Sequence, residues 1–174
     1  MGSPLYRPVV YEKGALVLHM LRKVMGDEKF FKLLQAYLDQ YRNKPSTTDD
    51  FRHLATDIYG DDLSWFFSEW YDRAVFAHWT LKADVTADTG GGATTKLTIL
   101  QPDDLVKMPA DVTFVGDKDD RFVVKNVMLD KKENLLEQKT PFVPVKIIVD
   151  EDGWVLKRLG EDNIWKATKP AETK

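Results

Sequence analysis

Cysteine is absent from the 174-residue sequence, so disulfides, cysteine-based zinc sites and thiol catalysis are excluded. Histidine is scarce. The three present, His19, His53 and His78, lie far apart, and none has a second histidine four residues on. A pair of imidazoles on one helix face, an arrangement that holds catalytic zinc, is therefore not encoded. No histidine neighbours a plausible serine nucleophile, so no Ser/His/Asp set is suggested. Basic residues are in no surplus: 25 Lys and Arg stand against 28 Asp and Glu, for a formal net charge of −3. That balance gives no reason to expect a nucleic-acid partner, which calls for a clustered basic surface. No apolar run approaches the length of a membrane span. Residues 1–20 lack the charged start, apolar middle and small-residue cleavage site of a signal peptide. Internal repeats and low-complexity tracts are missing as well.

What remains is a chain that is 43% hydrophobic, enough for a packed core, and long enough for one or two domains. It is organised around Tyr6-Arg7-Pro8-Val9-Val10-Tyr11-Glu12-Lys13-Gly14-Ala15. Pro8 suits the first turn of a helix, where its missing N–H is not needed. Tyr11 then falls within about one turn of that start, where a phenol can donate its O–H to an oxyanion. On spacing alone, the two tyrosines read more readily as packing residues with a wet tip.

The first helix is expected from about Pro8 to Met25, apolar nearly all round and hence buried. Gly26 stands in the place of its C-terminal cap. Gly14 inside it costs roughly 1 kcal/mol relative to Ala, which a close approach of backbone or substrate, or a tight helix crossing, would explain. Asp27 is the expected N-cap of a second helix, whose stripe is Phe30, Leu33, Leu34, Tyr37, Leu38 and Tyr41. Thr47 with Asp50 resembles a capping box for a third helix, ended by Gly60. Its inner face is Phe51, Leu54, Ala55 and Ile58, which leaves His53 on the surface. Asp61 or Asp62 starts a fourth helix carrying Leu63, Phe66, Phe67 and Trp70.

After Arg73 the period changes from 3.6 to 2. Strands are expected at 79–86, around Leu97 and Ile99, around Val112 to Val115, at 121–128, weakly at Leu135-Leu136, at 143–149 and at 154–156. The turns Asp103-Asp104, Asp117 to Asp120 and Asp150 to Asp152 read as solvated tips, since none has the ligand order of a calcium loop. The Gly90 to Gly92 run opens no helix and so is no phosphate cradle. The fold class is therefore α+β: a helical subdomain over 1–74 and a seven-stranded antiparallel β-sandwich over 75–160. A polar tail over 161–174 is expected to fray.

The words VVYEKGALVLHMLRKVMGDEKFFKLLQAYLDQY (9–41) and DLSWFFSEWYDRA (62–74) resemble the gluzincin aminopeptidases, peptidase family M1. The resemblance covers 6–72 by its motifs and 78–157 by the order of elements. It implies that Tyr11, the tyrosine of Y-E-K-G, points at the scissile carbonyl and stabilises the tetrahedral intermediate. It implies that Tyr6 lines the site near the substrate, and that the helices wall one side of the catalytic cleft. The family holds zinc with His-Glu-x-x-His and a later glutamate, neither of which is in this sequence. The implied reading is a piece of a zinc aminopeptidase acting on peptides. The zinc belongs to the parent protein, none is expected in this fragment, and the fragment is inactive alone. The alternative is a non-catalytic interaction module related to these peptidases. Apolar surface left open by truncation is expected to drive self-association. Nothing in the sequence selects a compartment.

Overall fold

The computed structural model describes residues 8–158 and 160–167. The chain divides into two compact units, Met1–Val75 and Phe76–Lys174.

The first unit is helical. A π-helical segment, Pro8–Lys13, runs directly into α1, Gly14–Met25. Then come α2, Asp27–Tyr41, α3, Thr48–Tyr59, the single turn α4, Ser64–Phe66, and a second π-helical segment, Phe67–Tyr71. The core is the set of apolar positions that recur at three and four residues. Val17, Met20, Leu21 and Met25 from α1 join Phe30 and Leu33 from α2, Ala55 from α3, and Leu63, Phe66, Phe67 and Trp70. Rings at Tyr37, Phe51, Phe67 and Phe66 meet edge to face, tying α2, α3 and the final turns together.

α1 departs from the expectation of a fully buried helix. Ala15 and Leu18 are exposed on the side away from the buried stripe. The reason is that α2 and the Phe67–Tyr71 segment pack against one side of α1. Gly14 serves no tight crossing either, because a Cβ built there meets nothing within 4 Å.

The α1–α2 corner also differs from expectation. Gly26, at φ 76°, is both the last cap of α1 and the N-cap of α2. One residue makes the whole turn, and that positive φ favours glycine. Asp27 is instead the first helical residue, and its carboxylate accepts two hydrogen bonds from the Arg22 guanidinium, at 2.8 and 2.9 Å. At the last helices, Asp62 lies one residue ahead of the N-cap Leu63, yet its carboxylate accepts the Ser64 N–H and hydroxyl.

The α3 cap is as expected. Thr47 accepts the Asp50 N–H while the Asp50 carboxylate accepts the Thr47 N–H at 2.8 Å, and Gly60 closes the helix in the left-handed conformation. The backbone and hydroxyl of Thr47 hold the Asp50 carboxyl below the usual aspartate range. A depressed carboxyl contributes stability above its unfolded value, about 3.9, and loses it as pH falls through the folded value. Asp50→Asn is therefore expected to destabilise the helical unit at pH 7, with the gap to wild type closing below about pH 4. Thr47→Ala costs about 1 kcal/mol at pH 7. Thermal unfolding of both variants across pH checks the pair.

Among the described residues, the second unit holds seven strands in two antiparallel sheets. β1 (Thr80–Ala87), β2 (Ala93–Leu100) and β5 (Glu133–Thr140) form one in the order β1-β2-β5. β3 (Met108–Val115), β4 (Arg121–Leu129), β6 (Lys146–Val149) and β7 (Ile164–Lys166) form the other in the order β4-β3-β6-β7. The chain changes sheet between β2 and β3, between β4 and β5, and between β5 and β6. β2 alternates buried and part-exposed residues, the pattern of a strand with one face on a core. β3 is buried along its whole length, between β4 and β6. The α+β layout with seven antiparallel strands is thus borne out; strand pairing alone does not make the two sheets a sandwich.

Three expectations at the C-terminal end are overturned. Trp154 to Leu156 is not a strand, because the N–H groups of Trp154 and Val155 are taken by the Asp150 carboxylate. The seventh strand is Ile164–Lys166, inside the stretch expected to fray, where it pairs with β6 as an edge strand. Asp150 itself is no solvated tip. It is 2% exposed, has φ 56° and also binds the Lys157 ammonium. The Asp117 to Asp120 turn does match its expectation, lying exposed between β3 and β4.

Candidate functional site

Tyr11 lies in the π-helical segment Pro8–Lys13. π-Helical turns are rare and concentrate at functional sites, because the widened turn re-aims side chains that a regular helix would place elsewhere. The segment is anchored at its end: the Lys13 ammonium donates to the carbonyl of Arg73 at 2.7 Å, just beyond the second π-helical segment. The Tyr11 side chain is presented outward, with the residue 63% exposed. That exposure places it outside the core, so the tyrosine is displayed on a helix whose other side is packed. Ala15 and Leu18 continue the same exposed face at helical spacing. Tyr6 lies outside the described residues.

No group of three or more His, Asp or Glu side chains suited to hold a metal occurs among the described residues. His19 is part-exposed on α1, His53 is exposed on α3, and His78 belongs to the other unit. Among the described residues, the donor set that zinc requires is therefore not brought together.

A grouping that the sequence did not flag lies between α3 and the second π-helical segment. Arg52 reaches across twenty residues of chain to Asp72, with Nη2 2.6 Å from its carboxylate. The same guanidinium lies over the rings of Phe67 and Tyr71, 5.5 and 4.8 Å from their centroids. His53, Thr56 and Ser68 line the hollow beside it. Arginine stacked on aromatic faces and paired with a carboxylate is a structural joint, with its charge already matched. The only hint in the sequence is the Tyr71-Asp72 pair that ends the helical words. Periodicity cannot show which residue of α3 meets it.

Comparison with known proteins agrees with the helical words. The family model described as the peptidase family M1 domain matches residues 2–70. Aminopeptidase N of Escherichia coli (strain K12) is 33% identical over 111 residues, which is 63% of this chain and 13% of that protein. Aminopeptidase N of Lactococcus lactis subsp. lactis is 32% identical over 81 residues, 47% of this chain and 9% of that protein. The chain thus spans a small part of the relatives it matches. Among solved structures, Legionella pneumophila aminopeptidase A in complex with aspartic acid superposes with a TM-score of 0.68 at 16% identity. That likeness covers 84% of this chain and 17% of the Legionella chain, and it speaks to the fold. Through its residues 2–70, within the helical unit, this chain is similar to the peptidase family M1 domain.

Proposed function

We propose that this chain is the oxyanion side of an aminopeptidase active site, cut from a longer protein whose other residues hold zinc and bind the peptide. The observation that carries the proposal is Tyr11, outward-facing on an anchored π-helical turn within the matched segment. A phenol placed there donates one hydrogen bond to the oxygen that gains charge when a peptide carbonyl becomes tetrahedral. By the family resemblance, Tyr6 is assigned to binding the substrate. Zinc, held by the parent's own ligands, supplies Lewis-acid chemistry that no residue of this chain replaces.

Two measurements test this. The purified 174-residue chain with equimolar zinc is expected to hydrolyse no aminoacyl p-nitroanilide, because the metal half of the site is supplied elsewhere. Zinc-dependent turnover abolished by Tyr11→Phe would overturn the division of labour. The reading frame upstream is the second. A His-Glu-x-x-His with a downstream glutamate supports the peptidase, and its absence supports a non-catalytic interaction module.

The same reading has a physical consequence for the isolated chain. Tyr11, Leu18, Phe31, Leu38 and Tyr71 are exposed on the helical unit. Apolar surface of this kind drives association when its natural cover is missing. Light scattering is expected to show mass rising with concentration, and a constant monomer mass would count against it.

A further inference from the structure

His78, immediately ahead of Trp79 and β1, has a side chain only 11% exposed. Its Nδ1 lies 2.7 Å from Asp103 Oδ2, in the connection between β2 and β3. Its Nε2 lies 3.3 Å from Asp162 Oδ2, in the connection that enters β7. Nε2 is sealed from solvent, and among the described residues it has no hydrogen bond of good geometry. The ring is held in place through its neighbour: the Ala77 N–H donates to the Leu156 carbonyl at 2.9 Å, and the Arg158 N–H donates to the Ala77 carbonyl at 2.8 Å.

The surrounding charges are accounted for. Arg158 Nη1 is 3.8 Å from Asp103, and the Lys132 ammonium binds the Asp103 carbonyl. Lys157 is committed to Asp150, and Asp104 lines the same hollow beside Phe76.

Two carboxylates therefore flank one imidazole, one at each nitrogen. A neutral imidazole carries a single N–H, so its other nitrogen would turn a lone pair toward an anion. Because Nε2 is closed to water, no solvent molecule can relieve that opposition. The imidazolium donates a charge-assisted hydrogen bond to Asp103 and sets its positive charge 3.3 Å from Asp162 Oδ2 as an ion pair. We propose that His78 is a proton-operated clasp joining the β2–β3 connection to the connection that enters β7. Protonated, it holds both Asp103 and Asp162. Deprotonated, it keeps the shorter bond to Asp103 and releases Asp162. The element that follows Asp162 is β7, a three-residue edge strand paired on one side with β6.

The test is amide exchange by NMR on the 174-residue chain, from about pH 5 to about pH 8, the range in which histidine changes charge. Protection factors, corrected for intrinsic exchange, are read for the amides from Asp162 to Ala167. The His78 ring protons are followed in the same samples. Protection is expected to fall about tenfold in step with the ring titration. In Asp162→Asn the ring still titrates but the fall disappears. Flat protection while the ring titrates, or an unchanged fall in Asp162→Asn, overturns the clasp. His78→Gln provides a second arm, since Gln offers donor and acceptor atoms but no titrating proton. It is expected to show the high-pH wild-type protection at every pH. Retention of the low-pH protection in that variant would equally overturn the proposal.

Discussion

Tyr11→Phe in the full-length parent is expected to lower kcat by about 10²- to 10³-fold, with KM nearly unchanged. The substitution keeps the ring and deletes one O–H. If that hydrogen bond forms fully only when the carbonyl oxygen has gained charge, the substrate complex loses little and the transition state loses one oxyanion donor, about 2.7–4 kcal/mol. Stability is a poor alternative explanation, because Tyr11 is 63% exposed and surface substitutions usually stay within about 0.5 kcal/mol. Steady-state kinetics with a thermal-unfolding control separates the two. A variant with wild-type kcat would show that the phenol is not the oxyanion donor, whatever the sequence around it.

Asp150→Ala is expected to destabilise the strand unit by about 3–5 kcal/mol. Three losses combine. The Asp150 side chain is 1% exposed and pairs with the Lys157 ammonium, which would be left uncompensated. Its two oxygens also accept the N–H groups of Trp154 and Val155, which would lose their partners. Finally, φ at this position is 56°, a conformation that Asn and Asp adopt more readily than Ala. Since domains are stable by about 5–15 kcal/mol, the loss is a large share of the total. For a unit near 100 residues it lowers Tm by more than about 10 °C. Asp150→Asn keeps the backbone preference and one acceptor oxygen, so its loss is expected to be smaller. A loss below about 1 kcal/mol for the alanine variant would mean that the carboxylate is solvated after all.

Much of the fold was legible in the sequence wherever the governing interactions are local. The Thr47–Asp50 box and the Gly60 cap depend on residues three or four apart, and the structure has both; the α2 stripe is met in part, with Phe30 and Leu33 buried and Leu38 exposed. Alternation along β1 and β2 likewise follows from the pleat. The Tyr-Glu-Lys-Gly word marked Tyr11 because that motif is contiguous. The reading failed where the partner is distant. Trp154 to Leu156 has strand composition, yet its N–H groups are claimed by one buried carboxylate. Asp150 looked like a wet turn residue because burial depends on what the rest of the fold places over it.

The sequence by itself determined the helix and strand periods, the α+β order, the resemblance of the helical words to peptidase family M1 and the lack of a local zinc motif. Each of these is carried by neighbours along the chain or by residue identity alone. Only the tertiary structure decided which face of α1 is left open, which segment becomes the seventh strand, and that Arg52 meets Asp72 and His78 stands between two aspartates. Those outcomes depend on the meeting of chain segments remote in sequence. Such pairings are selected by packing and hydrogen-bond competition in the folded protein, and no short window of sequence contains both partners.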